Sequence, residues 1–308
     1  MKRPVWFAVA VLFVAGRAFA ESPILAPPDL GALQLPDVRI ESAVHVPASS
    51  EPGQVAAGHV KVDGVIGRAI RFEVLLPDVW NGRFAMGGGG GLVGSVQNGI
   101  RHSVNAGYAT AGTDTGHQGR GTDGSWALDD LEALVNFGHV AIHRTAEVSK
   151  ALIRAYYGKG PEKSYFVGCS RGGGQAMMAS QRYPEDFDGI VAGAPAFDWT
   201  GFAAMGINIA QALYPDPAKL DATVLTQADL DHLYAEVMKQ ADAQDGLADG
   251  IIGDPGTADF DLAAVPDLTD AQRAAIRVLY EGVGNADGPI YPGFPIGAEG
   301  GKGGWFEW

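Results

Sequence analysis

The stretch that most constrains this chain is Ser164-Tyr165-Phe166-Val167-Gly168-Cys169-Ser170-Arg171-Gly172-Gly173-Gly174-Gln175-Ala176-Met177-Met178. A short β-prone run ends in Gly-Cys-Ser-Arg-Gly, and a helix-compatible segment follows. Strand, sharp turn and helix are the context a Gly-x-Ser-x-Gly nucleophile elbow requires. The turn strains the serine backbone, and neighbouring Cβ atoms would obstruct it, which is why glycines flank it. Ser170 is therefore the candidate nucleophile. The helix N-terminus behind it offers backbone N–H groups and a positive dipole end to a developing oxyanion.

The segments around the elbow predict its surroundings. Val60–Leu76 alternates like a hairpin punctuated by Gly64 and Gly67, and Arg83-Phe84-Ala85-Met86 reads as a strand. That strand feeds Gly87–Gly91 and then Leu92-Val93-Gly94. Three readings of this run stay open: a Gly-rich loop after an early strand that supplies an oxyanion-hole N–H, a structural loop, or a dinucleotide fingerprint. For the last, Gly89, Gly91 and Gly94 have the spacing and Asp114 would be the ribose-binding acid. Gly107–His117 reads as a strand running into a polar turn, with Asp114 and His117 expected to fix that loop by hydrogen bonds. Residues 129–157 have helical spacing, with Leu131, Leu134, Val135, Val140, Ile142, Val148, Leu152, Ile153 and Tyr156 available for one buried side. His139 and His143 have metal-ligand spacing but lack a third acidic ligand, so packing or surface roles are expected. After Pro184, residues 187–192 can form the next parallel strand. This order predicts an α/β fold whose doubly wound, mostly parallel sheet carries helices on both faces.

Composition excludes some partners. A formal net charge of −14 argues against nucleic acid or an anionic membrane surface. Residues 1–20 have a positive start, an apolar core and Ala18-Phe19-Ala20, the pattern of a secretory signal peptide. Cleavage near Ala20 would leave a secreted or periplasmic protein, starting the core at residue 21. Cys169 is the single cysteine, read either as a buried thiol or a missing partner's mate, or as a small hydrophobe on the elbow strand. From Trp199 the composition turns helical and Ala-rich, then Asp/Gly-rich, marking an inserted lid from about residue 200 to 308. Within it, Asp242, Asp245 and Asp249, with glycine after the second and third, suit a hard cation such as Ca²⁺.

Taken together, Gly107–His117, Tyr156-Tyr157-Gly158, Ser164–Gly173, Gln181–Pro195, Asp242–Ile251 and Tyr291-Pro292-Gly293 resemble the tannase and feruloyl esterase family of α/β-hydrolases. That family also includes an enzyme cleaving mono(hydroxyethyl) terephthalate. The resemblance implies hydrolysis of small aromatic esters (feruloyl, galloyl or related) by a serine nucleophile through an acyl-enzyme, and a lid holding structural calcium. It implies Ser170 as nucleophile, with the N–H of Arg171 and one from Gly90 or Gly91 as oxyanion hole. Asp242, Asp245 and Asp249, with the carbonyls of Leu247 and Ile251, match the calcium ligands. The cysteine preceding the family's serine pairs with one after the catalytic histidine, so the partner of Cys169 is expected outside this chain.

Two departures accompany the resemblance. Ala241 and Ala258 stand where lid cysteines are usual. The only histidine after Ser170, His232, does not match the family's pattern, so the triad Asp and His are expected beyond residue 308 and the sequence reads as C-terminally truncated. The 308-residue chain is accordingly expected to show little esterase activity. Two alternatives are a non-catalytic, calcium-binding ligand-binding protein on the same fold and a dinucleotide-dependent oxidoreductase.

Overall fold

A computed structural model describes residues 25–301 and 304–305. The expected signal peptide lies outside them. The chain forms two compact units, the first ending at Phe197 and the second opening at Asp198.

The first unit is built on a seven-stranded sheet. After a short helix α1 (Pro27–Gly31) come β1 (Val38–Val46), β2 (His59–Ile66), β3 (Ile70–Pro77), β4 (Arg83–Gly87) and β5 (Ala109–Thr113). Helices α2 (Leu131–Val135) and α3 (Ala141–Tyr157) lead to β6 (Lys163–Cys169), α4 (Arg171–Arg182) and β7 (Gly189–Gly193). The sheet order is β1-β2-β3-β5-β4-β6-β7. β1, β2, β3 and β5 pair antiparallel, whereas β5, β4, β6 and β7 pair parallel. The fold is thus α/β with a mixed sheet, and its parallel half carries the elbow. Val62, Phe72, Val74, Phe84, Met86 and Phe166 supply the sheet's share of the core, and Ile142, Leu152, Ile153 and Ala176 close it from the helices.

Several local expectations shift. Gly64 does not punctuate the hairpin: it pairs with Phe72 inside β2, and a Cβ there would stand 2.7 Å from both Arg39 O and the Phe72 ring. The turn falls at Gly67, whose φ of +57° suits glycine. The helical face over 129–157 is interrupted by a π-type turn at Asn136–Val140. A wider turn puts the side chains before it out of register with those after it. Ile142, Val148, Leu152, Ile153 and Tyr156 are buried, while Leu131, Leu134 and Val135 are exposed.

In the second unit, α5 (Trp199–Leu213), α6 (Gln227–Ala241) and α7 (Asp270–Glu281) enclose Leu225, Leu230, Leu233, Val237, Ile276 and Leu279. Two of these helices start at capping boxes, Thr226 with Asp229 and Thr269 with Gln272, each satisfying two backbone donors reciprocally. A small hairpin, β8 (Val283–Asn285) and β9 (Gly288–Tyr291), follows. Among the described residues no helix is long and apolar enough to cross a membrane.

Candidate active site

β6 runs between its parallel neighbours β4 and β7, with Ser164, Phe166 and Gly168 buried. Immediately beyond it, Ser170 adopts φ 59° and ψ −121°, a conformation few side-chain-bearing residues tolerate. Three hydrogen bonds hold it there. Its N–H donates to Gly193 O at 3.0 Å, and its carbonyl accepts from Ala196 N–H at 3.0 Å and Gly174 N–H at 3.1 Å. Helix α4 can lie this close only without side chains: a Cβ on Gly174 would meet Ala196 O at 2.0 Å, and one on Gly168 would meet Gly172 O at 2.2 Å. Ser170 and Cys169 are both exposed, and the Cys169 thiol is free, so the buried-thiol reading does not hold.

Strain elsewhere collects in the same place. Among the described residues, the side-chain-bearing positions with positive φ are three aspartates plus Val93, Thr115, Ser170 and Ala194. Aspartate tolerates that region; β-branched valine and threonine do not. The four non-aspartates sit in the loops after β4, β5, β6 and β7, at the carboxyl ends of the four parallel strands. That is where open α/β sheets place their ligands, and stored backbone strain gathers at such sites.

The glycine loop after β4 packs on the elbow: a Cβ on Gly88 would stand 2.6 Å from Gly172 Cα. Its backbone donors can be accounted for one by one. Gly88 N–H donates to Val167 O at 2.9 Å, Leu92 N–H to Gly121 O at 2.7 Å, and Val93 N–H to Gly90 O at 3.0 Å. Gly89 N–H donates to Gln175 Oε1 at 3.1 Å and Gly90 N–H to Gln97 Oε1 at 2.7 Å. Gly91 N–H has no partner among the described residues. Of the two glycines the sequence nominated, Gly90 has its donor occupied and Gly91 has not.

Other nominated residues fall into supporting places. The Arg171 side chain is buried, its guanidinium 4.2 Å from the centre of the Phe137 ring and its Nη2 donating to Phe137 O at 2.6 Å. Burial pulls its pKa down to about 10, which leaves it charged at neutral pH. Asp114 is wholly buried and accepts from Arg71 N–H, Gly116 N–H and Gln118 Nε2. Burial raises its pKa against those bonds. With its oxygens so engaged, and with only a 3-10 turn at Arg101–Ala106 after the glycines, the dinucleotide reading loses both its acid and its helix. His117 Nε2 lies 2.9 Å from Leu92 O, and its ring stacks on Trp126 at 3.7 Å. His139 Nδ1 lies 2.7 Å from Tyr183 Oη and His143 Nδ1 2.8 Å from Asp186 Oδ2, so both are packing residues. His232 Nε2 lies 3.1 Å from Pro266 O in the second unit. Among the described residues no imidazole is hydrogen-bonded to Ser170 Oγ.

The acidic loop of the second unit is stitched by its own aspartates. Gly250 N–H donates to Asp242 Oδ1 at 2.9 Å, Leu247 N–H to Asp245 Oδ1 at 3.0 Å, Gly253 N–H to Asp245 Oδ2 at 2.8 Å and Ile251 N–H to Asp249 Oδ1 at 3.2 Å. These oxygen donors suit calcium chemically. Among the described residues, however, no three acidic, histidine or cysteine side chains converge as a metal site. An ion here would have to exchange aspartate-to-N–H bonds for metal contacts.

Residues 55–301 match the family model for tannase and feruloyl esterase. The chain belongs to the tannase and feruloyl esterase family. It is 34% identical over 239 residues to "Probable feruloyl esterase B-1" of Aspergillus fumigatus, covering 74% of this chain and 44% of that one. It is 35% identical over 232 residues to mono(2-hydroxyethyl) terephthalate hydrolase of Piscinibacter sakaiensis, covering 68% and 38%. Among solved structures, feruloyl esterase B of Aspergillus oryzae superposes with a TM-score of 0.77 at 27% identity, covering 87% of this chain and 58% of that one. The chain spans about half the length of the curated relatives it matches.

Gln97 and Gln175 carried no signal in the sequence. Each binds the loop from outside it, Gln175 from 86 residues away, and glutamine in a helix or loop is ordinary. The strain at Val93 and Thr115 was equally silent, since both are residues that normally favour strands.

Proposed function

We propose that this chain carries the nucleophile half of a serine carboxylesterase that acts on small aromatic esters of the feruloyl, galloyl or terephthaloyl kind. The observation that carries the proposal is the strained Ser170, exposed at the carboxyl end of β6 and held by Gly193 and Ala196. Ser170 Oγ attacks the ester carbonyl. The oxyanion lies against the N–H groups of Arg171 and Gly91, the alcohol leaves, and water releases the acid from the acyl-enzyme. Membership of the family and the names of its relatives support the substrate class.

A nucleophile and oxyanion donors without an imidazole on the serine retain only part of a triad's power; such remnants give roughly 10³- to 10⁴-fold over water. We expect the chain to release nitrophenol slowly from a p-nitrophenyl ester, and Ser170→Ala to reduce this to the buffer rate. Equal rates for the two proteins would remove the esterase reading. Tight binding of an aromatic ester without Ser170-dependent release would favour the non-catalytic alternative.

Two further readings accompany it. Calcium in the 242–251 loop is supported by three carboxylates and two carbonyls within ten residues, and it would act structurally. Export is supported by the signal-peptide pattern of residues 1–20, and Edman sequencing of secreted material beginning near Glu21 would test it.

A further inference from the structure

We infer that Gln97 and Gln175 are positioning residues: a two-sided amide latch that holds the glycine loop so that Gly91 is its donor to an oxyanion at Ser170. This rests on the esterase reading of Ser170. Glycine backbone swings readily between conformations, so a loop of five glycines has no intrinsic reason to present one particular N–H. Oxyanion stabilisation needs the opposite, a donor fixed before the reaction. Two consecutive peptide groups of the loop are pinned, Gly89 N–H by Gln175 and Gly90 N–H by Gln97. Because each peptide is planar, pinning two in a row leaves only the torsions at Gly90 to orient the next N–H, that of Gly91.

The two pins come from the elements on which the site is built. Gln175 is wholly buried in α4, the helix that begins beside Ser170, so the same helix orients nucleophile and loop. Gln97 is anchored to the sheet, its own N–H donating to Thr113 O at 3.2 Å. Gln175 Nε2 is buried without a partner among the described residues, an arrangement that costs stability. An apolar side chain of the same shape would avoid that cost, so the acceptor Oε1 is what an amide contributes at this position.

The test uses the full 308-residue chain, an activated p-nitrophenyl ester whose leaving group needs little general-acid help, and amide hydrogen exchange read by NMR. In the unsubstituted protein the Gly89 and Gly90 amides should exchange far more slowly than Gly91. Gln97→Met should bring Gly90 to the rate of Gly91 and lower kcat by about 10- to 100-fold with KM nearly unchanged. Gln97→Glu, which keeps an acceptor oxygen, should restore most of both. Gln175→Met should do the same at Gly89; if it fails to fold, half-buried Gln97 still decides the matter. Gly90 exchanging as fast as Gly91 in the unsubstituted protein overturns the latch. So does an unchanged kcat in Gln97→Met while Ser170→Ala abolishes turnover. If Ser170→Ala leaves turnover untouched, the esterase reading falls, and the exchange pattern alone then supports or overturns the latch.

Discussion

The glycine loop after β4 and the acidic loop at 242–251 are both irregular and glycine-bearing, yet they are held by opposite means. In the first, three donors go to distant parts of the sequence, Gln175, Val167 and Gly121, while those of Gly90 and Val93 close locally on Gln97 and Gly90. In the second, the bonds at Asp242, Asp245 and Asp249 close within eight residues. The first is packed against other backbone, while glycines 246 and 250 of the second have nothing within 4 Å of where a Cβ would stand. One loop depends for much of its shape on distant parts of the fold; the bonds at the aspartates of the other come from its own residues. The first can therefore be damaged by disturbing packing or the side chains that reach it, the second chiefly by disturbing its charges.

The sharpest way to break this contrast is a single methyl group in each loop. Gly88→Ala drives a Cβ to 2.6 Å from Gly172 Cα, backbone that cannot step aside cheaply. We expect a loss of about 3 kcal/mol from the first unit by denaturant unfolding, with Ser170 reactivity lost as well. Gly246→Ala meets no atom and suffers only from its φ of +98°, so the second unit should lose about 1 kcal/mol. Equal losses would show that the two loops are not held differently.

A next-smaller effect is expected from calcium, and in the acidic loop alone. At a hundredfold excess over Kd, binding should stabilise the second unit by about 2.7 kcal/mol, visible as a rise in its Tm that a chelator reverses. Asp245→Asn should weaken the rise, whereas unfolding of the first unit should not respond to the ion. A calcium response confined to the first unit would invert the comparison.

The smallest effect is one of pH. Burial lowers the pKa of His117, whose ring lies against Leu92 of the glycine loop, in spite of the Leu92 carbonyl. The folded state therefore resists protonation that the unfolded state accepts. Stability from this source is complete above the ordinary imidazole value of about 6.5 and is lost as pH falls from there through the folded value. Asp245 is also shifted down, but by the N–H groups of Leu247 and Gly253, so its contribution falls away only below the ordinary carboxylate range. Unfolding of the first unit between about pH 7.5 and 5 should thus steepen with acid. His117→Phe should flatten that slope, and the acidic loop should show none.

These contrasts also mark what could be read from residues in order. The elbow was legible because strand, serine, glycines and helix are contiguous, although the backbone that Gly172, Gly173 and Gly174 make room for comes from the loops after β4 and β7. The choice between Gly90 and Gly91 was not, because it depends on Gln97 and Gln175 reaching in from outside the motif. Nor was the π-type turn, which shifts the helical register so that Leu131 and Leu134 stay in solvent while Ile142 and Leu152 enter the core. The antiparallel half of the sheet was seen only as one hairpin, since the hydrophobic pattern records burial and not which neighbour a strand pairs with.

Cys169 gives the elbow a practical property. It is the one thiol in the chain, it is exposed, and it adjoins Ser170 through a single peptide bond. A maleimide probe would therefore attach at one position only, with no background to engineer away. Its signal would report on the loops after β4 and β7 from the point where they meet the serine, turning the most strained corner of the molecule into the easiest one to observe.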